Sequence, residues 1–70
     1  MKFEKRMDLR KGPSALVRFE PKDEKVKVSS LRLPFFEVER EVVVGRKKAE
    51  KLWCEFLTMG YMPDNQFTGY

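Results

Sequence analysis

The residue types able to do chemistry in this 70-residue chain are few, and most are cations. Arg46, Lys47 and Lys48 form a basic run, continued by Lys51, on the first turn and a half of an expected helix. Cations at a helix start oppose the macrodipole, each by about 0.3–1 kcal/mol when exposed at low salt. Free backbone N–H groups and cations together would suit an anion such as a phosphate. The plainer reading is a solvated face neutralised by Glu39, Glu41 and Glu50. Glu37, Glu39 and Glu41 share one parity, but carboxylates on one wet strand face do not make an acid–base pair without a cleft. Cys54 beside Trp53 reads as a small, partly buried hydrophobe, because no adjacent cation would activate its thiol.

The absences exclude more. The chain holds one cysteine and no histidine, which removes an internal disulfide, the common zinc sets and the Ser-His-Asp and Cys-His nucleophilic systems. It has no phosphate-binding glycine loop. We expect no enzymatic activity, no cofactor and no metal. No apolar run exceeds three residues, as at Val42–Val44, so no membrane span is expected. A charged N-terminus without a secretory core, together with a free cysteine, points to a cytoplasmic protein.

A chain of this length makes one small domain, burying about 60% of its unfolded surface. The apolar fraction of 41% and aromatic fraction of 13% are those of a folded chain. Fifteen Lys/Arg stand against eleven Asp/Glu, and the excess is uneven. Residues 1–33 carry ten Lys/Arg and five Asp/Glu, whereas residues 34–70 carry five and six.

Hydrophobic periodicity supplies the elements. Met1, Phe3, Met7 and Leu9 alternate with charged even positions, the period of a strand, although Phe3, Met7 and Arg10 would also share a helical face. Lys11-Gly12-Pro13 marks a turn. A second strand then carries Ala15, Val17 and Phe19 on one face, and Pro21–Glu24 reads as the next turn. In the third strand, Lys25–Leu33, the apolar parity switches between Val28 and Leu31, which predicts a β-bulge near Ser29-Ser30. A fourth strand over Phe35–Val44 would place Phe36, Val38, Val42 and Val44 on one face. From Arg46 the period becomes helical, with Ala49, Leu52, Trp53, Phe56 and Leu57 as the stripe. Gly60 suits a left-handed C′ position, with Tyr61 packing back on Phe56.

The expected fold is therefore α+β: a small antiparallel meander of three or four strands, with one C-terminal helix packed on one face. Residues 1–61 form the domain and 62–70 an irregular tail, packed or free. Phe3, Phe19, Phe36, Trp53 and Phe56 are expected in the core.

The strings Leu16-Val17-Arg18-Phe19-Glu20-Pro21, Leu33-Pro34, Gly45-Arg46-Lys47-Lys48-Ala49-Glu50-Lys51-Leu52-Trp53 and Gly60-Tyr61 resemble a small domain of unknown function from marine cyanobacteria. The resemblance spans about residues 14–67 and rests on core and cap residues. This chain differs in carrying Tyr61 where a tryptophan is expected, and in its extra N-terminal strand. The resemblance implies a compact α+β fold and transfers no site residue.

Two functional readings follow. The first is a non-enzymatic binding or regulatory module that acts through a protein partner or a second copy, using a sheet edge, the bulged strand or the aromatics Phe35, Phe67 and Tyr70. The alternative is a nucleic-acid-binding module that uses the sheet face and the helix start, with Arg46, Lys47, Lys48, Lys51, Arg32 and Lys27 as contacts.

Overall fold

The computed structural model describes residues 5–63. Its elements are β1 (Met7–Lys11), β2 (Ala15–Lys22), β3 (Lys25–Arg32), β4 (Glu37–Gly45), α1 (Arg46–Thr58) and β5 (Met62–Pro63). The strands form one antiparallel sheet in the order β4-β3-β2-β1-β5, with α1 across one face. The α+β meander with a C-terminal helix is thus the fold. The sheet gains one strand more than expected, because Met62 and Pro63, expected to be irregular, pair with Arg10 and Leu9.

Alternation builds the core. On the helix-covered face Leu9, Val17, Phe19, Val26 and Val28 pack with Ala49 and Trp53, ringed by Met7, Val44, Leu52, Phe56 and Tyr61. Phe19 meets Trp53 edge to face at 5.2 Å and Phe56 at 6.3 Å, the geometry that aromatic quadrupoles favour. Leu57, expected on the same stripe, is 40% exposed instead.

The parity switch in β3 has a different origin from the one its sequence suggests. The β2–β3 ladder runs without interruption, with Phe19 opposite Val28 and Leu16 opposite Leu31. Leu31 therefore lies on the outer face, where it buries a second cluster with Leu16 and Leu33. A register shift does fall at Ser30/Leu31, but in the ladder to β4: Ser30 faces Arg40 and Leu31 faces Val38, so the extra residue is Glu39. The bulge belongs to β4 and turns Val38 to the outer face, away from Val42 and Val44, which oppose Val28 and Val26. Phe36, expected in the core, precedes β4 at a φ of 56° and is half exposed.

Pro21 is part of β2 rather than of a turn, opposite Val26, and only Asp23-Glu24 link β2 to β3. Proline is tolerated there because the β1 register ends at Phe19, leaving that stretch of β2 without a ladder on its other side.

The helix ends in a Schellman motif. The Tyr61 N–H donates to the Phe56 carbonyl at 3.0 Å and the Gly60 N–H to the Leu57 carbonyl at 3.1 Å, with Gly60 at a φ of 100°. The Tyr61 and Phe56 rings are 5.1 Å apart, and the Lys11 ammonium lies 5.8 Å from the Tyr61 centroid.

Candidate functional site

Three regions hold the side chains in question: the start of α1, the outer face of the sheet, and the β4 edge. At the start of α1, Gly45 occupies the N-cap position with no side-chain cap, and the first turn contains no acidic residue. Arg46 is committed to structure. Its Nη2 donates to the Asp23 carbonyl at 2.7 Å, tying the helix start to the β2–β3 turn. Lys47, Lys48 and Lys51 are exposed.

The sheet separates the remaining cations. Gly45 faces Lys25 at one end of the β3–β4 ladder, whereas Arg32 faces Glu37 at the other. Arg32 binds Glu39 at 2.7 Å. Lys27 lies between the two ends, its ammonium 3.7 Å from Glu41. Arg32 lies seven positions along β3 from Lys25, about 23 Å along a strand. The six cations expected as contacts on the helix start and the sheet lie accordingly in two places: Arg46, Lys47, Lys48 and Lys51 share the helix, while Lys27 and Arg32 pair with carboxylates of β4.

The outer face carries both signs of charge, with more cations than carboxylates. Asp8 sits opposite Arg18 across β1 and β2, and the Arg18 Nε donates to its Oδ1 at 3.2 Å. The same guanidinium lies 5.7 Å from the Phe36 centroid. Among the described residues no group of three or more His, Cys, Asp or Glu could hold a metal ion. No helix there is long and apolar enough to cross a membrane. Cys54, expected to be partly buried, is exposed.

The β4 edge is the third region. β4 is the end strand of the sheet, and every one of its nine residues except Val44 is exposed. Val38, Val42 and Val43 keep 58%, 42% and 53% of their surface, and Phe35, just before the strand, keeps 82%. Phe67 and Tyr70, the other expected partner contacts, lie outside the described residues. A sheet edge is among the expected contact surfaces, but which strand would form it depends on long-range pairing, which strand patterns do not encode. The signal available for β4 was the run Val42-Val43-Val44, apolar on both parities and so suited to a strand with some contact on each face.

No family model matches the chain, and neither a curated protein nor a solved structure matches it.

Proposed function

We propose that the chain is a small non-enzymatic protein-binding module of the cytoplasm that takes a partner's strand on the open edge of β4. The supporting observation is the edge itself. A long end strand presents a row of main-chain donors and acceptors, and exposed Val42, Val43 and Phe35 stand beside it. Strand addition uses these two features together, main-chain hydrogen bonds for affinity and flanking side chains for specificity. The outer face favours this reading over a nucleic-acid surface, because Arg18 and Lys27 are already paired with Asp8 and Glu41.

The test is capture from a lysate of the source cell on the immobilised chain, with and without nuclease, beside a Val43→Glu variant. In the folded chain Val43 stands across from Lys27, so the new carboxylate is accommodated within its own sheet. Nuclease-resistant capture that the variant loses is the expected result. Capture that nuclease abolishes and the variant retains would favour the nucleic-acid reading through exposed Lys47, Lys48 and Lys51.

A further inference from the structure

We propose that the strand taken on this edge is β4 of a second copy, paired antiparallel about a two-fold axis through Val43; this rests on the edge reading above and names its partner. Proteins blunt sheet edges with charges and bulges. Here the blunting is confined to one half of the strand. Glu37, Glu39, Arg40 and Glu41 carry charge and Glu39 is the bulge, whereas Val42, Val43, Val44 and Gly45 carry neither. The open stretch is short and apolar, and it sits at one end of the edge.

Symmetry selects the register. In a two-fold antiparallel pair, residues at equal distances from the axis face each other and share a side of the sheet. With Val43 on the axis, Val42 faces Val44 of the second copy and Glu41 faces Gly45, so valines meet valines and the carboxylate meets no side chain. With the axis on Val42, Arg40 and Glu41 would instead cover Val44 and Val43. With the axis on Glu41, that carboxylate would meet its own copy.

The same register brings opposite charges together. Past Gly45 each chain turns into α1, and the acidic half of the neighbouring β4 runs on beside that helix start. There Lys47 and Lys48 are exposed and no acidic side chain occupies the first turn. Glu39 and Glu37 of the second copy, offset in part by Arg40, would supply the negative charge that a helix N-terminus favours. Arg46 is drawn aside by the Asp23 carbonyl, away from this contact. Glu39 keeps its own Arg32, but that pair is half exposed and can be shared. A cation run that breaks a local helix rule thereby acquires a reason. The paired stretch is short, so the dimer is a weak, concentration-dependent one.

Sedimentation equilibrium of the full chain, from about 1 µM to 1 mM, reads the association directly. The wild type should pass from monomer to dimer. Val43→Glu, with a thermal melt to confirm folding, should remain monomeric because two carboxylates would meet on the axis. Lys47→Glu and Glu39→Lys should each weaken the dimer about tenfold, and the double variant should recover to within about threefold of wild type. A monomer throughout the range, a dimer that survives Val43→Glu, or a double variant no tighter than the singles would overturn the proposal. If the wild type stays monomeric yet Val43→Glu still loses nuclease-resistant capture, the second copy is excluded and the edge reading stands. If Val43→Glu affects neither association nor capture, both fail.

Discussion

Phe19 and Trp53 meet edge to face, with centroids 5.2 Å apart and planes at 72°, and this contact fastens the single described helix to the centre of the sheet. Phe19 has no exposed surface and Trp53 only 5%. Removing the indole leaves a cavity under the helix, so Trp53→Ala should cost about 3–5 kcal/mol. Small domains hold little more than that, and the variant should be largely unfolded. Urea denaturation followed by far-UV circular dichroism checks it; a midpoint near that of wild type would contradict this packing.

At the other end of the helix, Gly60 holds a left-handed conformation at a φ of 100°. A Cβ there would lie 3.5 Å from the Lys11 Cε, an ordinary contact, so crowding adds nothing. The cost of Gly60→Ala is the backbone's, about 1 kcal/mol, and for a domain this small that is roughly 4–8 °C in melting temperature. An unchanged melting temperature would mean that the Schellman turn does not limit stability.

The basic helix start should separate stability from binding. Lys47→Glu and Lys48→Glu bring a favourable charge to the macrodipole and should each raise stability by a few tenths of a kcal/mol. Arg46→Glu should not, because it also removes the hydrogen bond to the Asp23 carbonyl. Thermal melts of the three variants at low salt distinguish these cases. A loss of stability in the lysine variants would show that these side chains support the fold.

Oligonucleotide binding gives the contrast between the two functional readings. A surface that neutralises phosphates loses affinity steeply between about 50 and 200 mM salt. With Lys27 and Arg32 occupied by Glu41 and Glu39, we expect weak binding of single- and double-stranded oligonucleotides, with a shallow slope that Lys47→Glu leaves unchanged. Fluorescence titration at the two salt concentrations measures it. Tight, steeply salt-dependent binding that Lys47→Glu weakens would move the function to the helix start.

Features fixed by neighbours in sequence were readable before the structure. The Schellman end needs only Phe56, Leu57, Gly60 and Tyr61, and the helix stripe only its own period, so both follow from local pattern. Features set by pairing were not. The switch from Val28 to Leu31 looks like a bulge in β3 when that strand is taken alone. Only the partner strands reveal two faces, each with its own core, and a bulge at Glu39 across the ladder. Pro21 resembles a turn residue for the same reason, since its place in a strand depends on where β1 stops. That Lys27, Arg32 and Arg46 are engaged by Glu41, Glu39 and the Asp23 carbonyl depends likewise on which segments lie side by side. The edge position of β4, on which the proposed function rests, is a property of the whole sheet.

Site-resolved amide hydrogen exchange on the wild-type chain, in dilute and in concentrated solution, tests the β4 edge most directly. A strand added by a second copy covers the main-chain groups of the open half, so exchange at Val42–Gly45 should slow as concentration rises, while Glu37–Glu39 and the outer face of α1 stay unchanged. Slowing confined to α1 or the outer sheet face, with β4 exchanging at one rate throughout, would contradict the account.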